Sequence, residues 1–180
     1  KKIENIQKGY EKTYGSEFFF RIKNQQYNGW MSYQYNSTQF SFNHIDEGIF
    51  FQADHDLTHE FKTVFNASLF NIDFTATWSH TSGRVFTKQE NININNDFTI
   101  VYKKGTRNKE RLQPVHHLDL SAVKTYKIKK IRLETGISIY NVYNKKNVSH
   151  KKYNPFNNKQ IVSDVIMLGF TPTFFIQLSI

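Results

Sequence analysis

The chain has 180 residues, of which 38% are hydrophobic and 16% aromatic, with a net charge of +9 and no cysteine. This length suits one ordinary domain, and the lack of cysteine excludes disulfides and thiolate metal sites. No apolar run approaches the roughly 20 residues that a membrane helix needs, although a β-strand can face lipid with only its alternate side chains.

Seven segments alternate between apolar and polar residues and are predicted to be β-strands. In chain order they span residues 14–24, 27–42, 59–70, 72–82, 116–126, 131–143 and about 164–180. Residues 1–11 show no alternation and are expected to form a loop or a short helix. The last strand shows the pattern most clearly, because Phe174, Ile176 and Leu178 fall on one face while Thr173 and Gln177 fall on the other.

The alternation predicts one apolar and one polar face for the whole set of strands. The residues expected to face lipid are Phe65, Phe74, Leu120, Ile137, Phe174, Ile176 and Leu178. The charged residues predicted on the opposite face are Glu17, Arg21, Lys62, Asp73, Asp119, Arg132 and Glu134. A Lys or Arg on the lipid side near mid-bilayer would cost about 2–4 kcal/mol, so this segregation fits a wet barrel lumen. It is equally compatible with a soluble sheet that has one wet face.

The connections between predicted strands alternate in length. The connections at 24–26, at Asn71 and at 128–130 are tight, whereas those at 43–58, 83–115 and 144–163 are long and polar. Outer-membrane barrels have short periplasmic turns at one end and long extracellular loops at the other. The sequence therefore predicts an all-β, antiparallel transmembrane β-barrel whose three long connections lie outside the cell.

An odd number of strands predicts that this barrel is incomplete, because single-chain bacterial barrels have even strand counts. An open sheet would leave unpaired edges, which hydrocarbon does not tolerate. We therefore expect residues 1–180 to be the C-terminal part of one larger barrel domain. The alternatives are a self-contained eight-stranded barrel that uses residues 1–13 as a strand, and a soluble β-sandwich that binds glycans or nucleic acid.

A polar stretch in the first long connection is the candidate for ligand contact. It contains His44, Asp46, Asp54, His55 and Asp56, together with Glu47 and His59. His and carboxylate ligands suit Zn, Fe or Ni, but the spacing matches no established ligand motif. We therefore interpret these residues as loop residues available to a ligand, and we expect no metal and no cofactor.

His117 and Asp119 share one strand face and are the only pair that suggests catalysis. No Gly-x-Ser-x-Gly elbow or other nucleophile motif accompanies them. We expect a structural hydrogen bond in the lumen and no enzymatic activity.

The net positive charge and the aromatic residues admit a nucleic-acid partner, with bases stacked on exposed rings. The lysines form short clusters near predicted strand ends, which favours solvated turns. Tyr33, Tyr35, Trp78, Tyr126 and Tyr143 lie on or near the apolar face, which favours an aromatic belt at a membrane interface. We therefore expect a lipid partner and no nucleic acid.

Several segments also share motifs with a known family. They are Tyr14-Gly-Ser-Glu17, Gly29-Trp-Met-Ser-Tyr-Gln-Tyr-Asn36, Asp54-His-Asp-Leu-Thr-His59, Arg111-Leu-Gln-Pro-Val-His-His-Leu-Asp-Leu-Ser121, Ile139-Tyr-Asn-Val-Tyr-Asn-Lys-Lys-Asn147 and Leu168-Gly-Phe-Thr-Pro172. In this order the chain resembles the C-terminal third of the barrel of a TonB-dependent outer-membrane receptor of the Bacteroidetes type. It departs from that family at Gln113 and Val115, and at Ile180, where the family usually ends in Phe.

The resemblance implies a location in the bacterial outer membrane and roughly 22 strands around a plugged lumen. This chain would supply about seven of those strands, with the plug domain and the earlier strands outside it. The implied function is import of a scarce nutrient (a siderophore, vitamin, glycan or peptide) driven by the TonB energy-coupling system. A surface lipoprotein is a further candidate partner.

Overall fold

A computed structural model describes residues 8–94, 100–129, 131–156 and 159–179. Seven long strands carry the fold, and the remaining strands are short or belong to hairpins. The strands are β1 (Gly9–Lys23), β2 (Tyr27–Phe42), β3 (Phe51–Gln52), β4 (His59–Leu69), β5 (Ile72–Thr81), β6 (Val85–Phe86), β7 (Gln89–Ile94), β8 (Ile100–Lys104), β9 (Glu110–Arg111), β10 (Val115–Ile128), β11 (Ile131–Tyr140), β12 (Val148–Phe156), β13 (Lys159–Ile166) and β14 (Thr171–Ser179). Within these described ranges, no helix is long and apolar enough to cross a membrane.

The long strands form one large antiparallel sheet in the order β1-β2-β4-β5-β10-β11-β14, with β3 added beside β2. This confirms the predicted all-β class and the seven predicted strands. In the described part of the chain, β1 and β14 are the two edges and do not pair with each other, so the sheet is open.

The register of the long strands runs without a bulge, so each row of side chains stays on one face across the sheet. One such row joins Phe18, Tyr33, Phe61, His80 and His116. All seven residues predicted to face lipid lie on this same face. The charged residues predicted on the other face also lie there. Lys12 and Lys124 are on the apolar side, and both lie near its borders.

The sheet is a single layer with little buried interior. The accessible surface of the chain is 13755 Å², whereas a compact protein of 21.3 kDa is expected to expose about 9,100 Å². Among the described residues, the buried hydrophobic side chains are Ala53, Val85 and Leu112, all in the connections. Because a sheet normally buries an apolar face against a second layer, this face requires a cover from outside the described chain.

The tight connections at 24–26 and at Asn71 are confirmed as turns between paired strands, whereas the one at 128–130 includes Lys130, which lies outside the described residues. Phe70 and Asn71 adopt φ of 53° and 59°, the left-handed pair that a two-residue hairpin turn needs. The long connections differ from the prediction of plain polar loops. The second contains a β7–β8 hairpin and a β6–β9 pair, and the third contains a β12–β13 hairpin.

Three predicted boundaries were wrong. β1 begins at Gly9, so residues 9–11 are strand and not loop or helix, while residues 1–7 lie outside the described residues. β11 ends at Tyr140, because Asn141 turns the chain with φ of 52°. The segment from about 164 is not one strand, since β13 ends at Ile166 and β14 begins at Thr171. Ile180 lies outside the described residues.

The break between β13 and β14 has a physical cause in the Asn-x-x-Asn-x-x-Asn motif. Asn141 donates its side-chain amide to the carbonyls of Lys145 and Leu168, and Asn144 accepts from the backbone N–H of Phe170. Asn147 bonds both backbone groups of His116 through its side chain. These asparagines hold residues 168–170 in a turn against β10 and prevent them from continuing a strand.

Candidate functional site

The most unusual surface is the apolar face of the sheet, which nothing in the described chain covers. Its members from the central and C-terminal strands are between 38% and 67% exposed: Phe65, Phe74, Leu120, Ile137, Phe174, Ile176 and Leu178. The seven strands, about 4.8 Å apart, span about 29 Å across this face. Along β10 the face extends from His116 to Tyr126, about 33 Å, so its area exceeds the few hundred Å² of contiguous apolar surface that a soluble monomer usually exposes.

Aromatic rings border this face at the end that carries the long connections. Trp78 stacks on His80, which stacks on His116 at 6.2 Å between ring centroids. The hydroxyl of Tyr143 lies 2.8 Å from Nδ1 of His116, and farther along the border the hydroxyl of Tyr33 lies 2.9 Å from Nδ1 of His59. These rings combine an apolar body with a polar group that can reach water, as interfacial residues do.

A second, sparser aromatic border lies at the end with the tight turns. Tyr27 stacks on Phe65 at 6.2 Å, and Lys124 reaches over the ring of Tyr126 at 5.3 Å. Phe70, in the turn between β4 and β5, is 92% exposed. Aromatic rings therefore border the apolar face at both of its ends.

The opposite face carries hydrogen-bonded polar ladders. Asn66 donates to Asn28 at 3.0 Å and accepts from Thr75 at 2.8 Å, and Ser68 donates to Asp73 at 2.6 Å. At the edge near β14, Arg132 pairs with Glu134. Such a face needs water or other polar groups beside it.

The predicted contact between His117 and Asp119 is present on this polar face and includes a third residue. Nδ1 of His117 lies 2.9 Å from Asp119 Oδ1, and Nε2 lies 3.0 Å from the hydroxyl of Ser79. Asp119 also accepts from the backbone N–H of Asn141 at 2.9 Å. The sequence of contacts from Asp119 through His117 to Ser79 resembles a catalytic triad. However, Ser79 lies in a regular strand whose backbone N–H and C=O groups pair with β4 and β10. No pair of backbone N–H groups beside Ser79 is therefore free to stabilise an oxyanion. The arrangement suits a structural tie between strands.

At the long-connection end, a buried ion pair joins the first two connections. Asp56 is 1% exposed and accepts from Arg111 at 2.8 Å, from Thr58 at 2.8 Å and from the backbone N–H of Thr38 at 3.0 Å. Arg111 also donates to the carbonyl of Gly83 at 2.8 Å. Burial alone would raise the pKa of the Asp56 carboxyl, but the hydrogen bonds from Arg111, Thr38 and Thr58 outweigh it and lower that pKa.

Asn108 makes a second tie between the same connections. Its side chain donates to the carbonyl of Gln52 at 2.7 Å and to the carboxylate of Asp54 at 2.6 Å, and its backbone N–H donates to the hydroxyl of Thr87. Asn108 is buried and has a left-handed φ of 49°. Together with the Asp56–Arg111 pair, it fixes how the two connections lie against each other.

The structure disperses the five predicted ligand-contact residues. His44 and Asp46 are exposed, and the ring of His55 lies edge-on to Phe40. Asp54 is bonded to Asn108, and Asp56 is buried, which leaves it no free oxygen for a ligand. Within the described residues, no three His, Asp or Glu side chains gather in a way that could hold a metal ion.

A cleft of about 610 Å³ lies between β3 and residues 105–109. The residues that line it include Asp46, Glu47, Phe50, Phe51, Gln52, Arg107 and Lys109. Of the predicted ligand-contact residues, only Asp46 borders this cleft. Arg107 lies over the ring of Phe51 at 5.0 Å from its centroid.

Sequence reasoning missed Arg107, Asn108, Arg111 and Ser79 as members of these clusters. Each partner lies at least 21 positions away in the chain, so no local spacing reveals the contacts. For the asparagines at 141, 144 and 147, their regular spacing in the sequence was the available signal of a shared role. Comparisons with protein-family models, with curated proteins and with solved structures found no match to this chain.

Proposed function

We propose that this chain is part of an outer-membrane β-barrel of a TonB-dependent transporter, which imports a scarce nutrient. The observation that carries the proposal is the exposed apolar face bordered by aromatic rings at both ends. Lipid covers such a face, whereas water would penalise it.

The height of the apolar face supports this proposal. Tyr126 follows His116 by ten positions on β10, which is about 33 Å along a strand and about 25 Å along the membrane normal at a tilt of about 40°. An outer-membrane barrel carries an apolar band about 25 Å tall between two aromatic girdles. Lys124 lies close enough to the border for its ammonium group to reach the interface.

The strand directions support a larger barrel. Because neighbouring strands alternate in direction, β1 and β14 run the same way, and they cannot close the sheet as an antiparallel pair. Antiparallel closure needs an odd number of further strands, as in a barrel of about 22 strands. The eight-stranded alternative required residues 1–13 as a separate strand, but residues 9–13 belong to β1.

In the proposed barrel, the polar face of the sheet and the three long connections each have a role. The polar ladders face a wet lumen, and the three long connections stand outside the cell, where they meet the ligand. The plug, the TonB energy-coupling contact and any surface lipoprotein partner follow from the family resemblance and lie outside this chain. We propose no catalytic reaction, no cofactor and no nucleic-acid partner.

A soluble β-sandwich would need a second sheet about 10 Å from the apolar face. The described residues place no such sheet there, and the two aromatic borders have no purpose inside a sandwich core. The membrane proposal accounts for both observations.

Epitope insertion in the complete protein, expressed in a Gram-negative host, tests the topology. A tag after Phe156, at the end of β12, should be accessible to antibody on intact cells, whereas the same tag after Gln25 should require permeabilised cells. Uptake of the nutrient should stop when the proton-motive force is collapsed, while surface binding persists. A protein found in the soluble fraction, or equal access to both tags on intact cells, would contradict the proposal.

A further inference from the structure

The cleft between β3 and residues 105–109 has walls that the fold holds in place. Asn108 ties its own segment to Gln52 and Asp54, and the Asp56–Arg111 pair fixes the bases of both connections. A volume of about 610 Å³ lies within the range of sites for small ligands. The cleft therefore exists before a ligand arrives, which reduces the entropy that binding must overcome.

Charges of both signs line this cleft. Asp46 and Glu47 belong to the first long connection, and Arg107 and Lys109 belong to the second. The ion pairs in the described part of the structure involve other residues, so these four charges are not neutralised by one another there. A ligand that carries a cationic and an anionic group complements such a surface.

The rest of the lining mixes the apolar side chains Ile49, Phe50 and Phe51 with the polar side chains Gln39, Gln52, Thr106 and Asn108. Ile49 is 67% exposed beside Phe50 and Phe51, and these side chains offer a surface for an apolar group. Oε1 of Gln52 is buried and has no hydrogen-bond partner among the described residues. A buried acceptor without a partner is costly, so a turn of the Gln52 side chain toward the cleft would let an N–H donor from a ligand satisfy it.

The acidic side of the cleft is also conformationally strained. Asp46, Glu47 and Gly48 have consecutive left-handed φ values of 47°, 55° and 80°. Glutamate rarely adopts this conformation, and such residues concentrate at binding sites and switch regions.

We infer that this cleft binds a short zwitterionic peptide with an apolar side chain. Its ammonium group lies toward Asp46 and Glu47, its carboxylate toward Arg107 and Lys109, and its side chain against Phe50 and Phe51. A backbone N–H of the peptide supplies the donor for Gln52 once that side chain turns toward the cleft. A neutral glycan leaves all four charges without partners, and an anionic chelate is repelled by the acidic side. The inference rests on the proposed function, because it names the ligand class for the end of the sheet proposed to face outward.

The test measures binding of the tripeptide alanyl-phenylalanyl-alanine to the complete purified protein in detergent by calorimetry. The comparison ligands are the same peptide with an acetylated N-terminus, the same peptide with an amidated C-terminus, and a neutral trisaccharide. The variants are Arg107→Gln and Glu47→Gln. Lys146→Gln is the matched control, since it removes one exposed positive charge from the same end of the sheet without touching the cleft.

We expect Arg107→Gln to weaken the zwitterionic peptide about tenfold while changing the amidated peptide little, because the lost partner is the carboxylate. Glu47→Gln should weaken the zwitterionic peptide and spare the acetylated one, and Lys146→Gln should have no effect. Equal binding of free and capped peptides, tighter binding of the trisaccharide, or equal effects of Arg107→Gln and Lys146→Gln would overturn the inference. If the protein inserts in membranes but does not bind the peptide, only the proposed ligand class is refuted. If the protein is soluble and binds the peptide, only the membrane proposal is refuted.

Discussion

Leu120→Arg is the substitution that most directly perturbs the apolar face. Leu120 lies on β10 one position from the midpoint between His116 and Tyr126, and its neighbours across the strands are Ala76 and Ile139. In the proposed membrane arrangement an arginine here lies near mid-bilayer, where it costs about 2–4 kcal/mol of folding free energy. Ser121→Arg places the same charge at almost the same depth on the polar face, where we expect a cost below about 1 kcal/mol.

The assay is a urea titration of the complete protein folded into lipid vesicles, with the free energy of unfolding compared between the two variants. Leu120→Arg should lose about 2–4 kcal/mol relative to the unsubstituted protein, and Ser121→Arg should stay close to it. If Ser121→Arg is destabilised as much as Leu120→Arg, or if neither variant is affected, the assignment of faces is wrong.

Three further substitutions test the connections and the polar face. Arg111→Ala leaves the buried Asp56 carboxylate unpaired, which should cost about 3 kcal/mol of folding free energy and raise hydrogen exchange of residues 43–58. In the unsubstituted protein the fold lowers the pKa of Asp56, so protection of these residues from exchange should be complete above a pH of about 4. This protection should be lost as the pH falls through the pKa of the folded state. Asn141→Ala removes buried hydrogen bonds and a left-handed turn residue, so it should destabilise the β11–β14 junction by about 2–4 kcal/mol. The measurement is a urea titration, and a loss below about 0.5 kcal/mol would show that the motif has no structural role. Ser79 should not react with a fluorophosphonate probe, and Ser79→Ala should leave the background ester hydrolysis unchanged; labelling that disappears in this variant would reveal a nucleophile.

The long strands and their faces were predictable because every second residue carries the signal. A strand such as β14 exposes Phe174, Ile176 and Leu178 on one side, and this pattern needs no knowledge of its neighbours. The antiparallel arrangement was also predicted, from the alternation of tight and long connections, whereas the pairing order came from the structure. The start of β1 was missed because Gly9 contributes no side chain to the alternation and Lys12 places a charge on the apolar face.

The features that escaped prediction depend on contacts between distant residues. Asn141 and Asn144 form hydrogen bonds to residues 168–170 and thereby separate β13 from β14. The alternation of apolar and polar residues does not display these contacts. The polar stretch at 44–59 suggested one site, but its residues have separate roles in the structure. Asp56 belongs to a buried ion pair, Asp54 accepts a hydrogen bond from an amide, and Asp46 lines the cleft. The partners Arg107, Asn108 and Arg111 decide that division, and they come from the next long connection.

Accessibility along β14 tests the central proposal, that one face of this sheet meets lipid, most directly. The chain has no cysteine of its own, so single cysteines at positions 174–178 can each carry a nitroxide label in the complete protein in lipid vesicles. The account predicts that oxygen, which partitions into lipid, relaxes the labels at 174, 176 and 178 most strongly, while a water-soluble nickel chelate relaxes those at 175 and 177. Uniform access of the nickel chelate to all five positions, or an absence of alternation, would contradict a lipid-facing sheet.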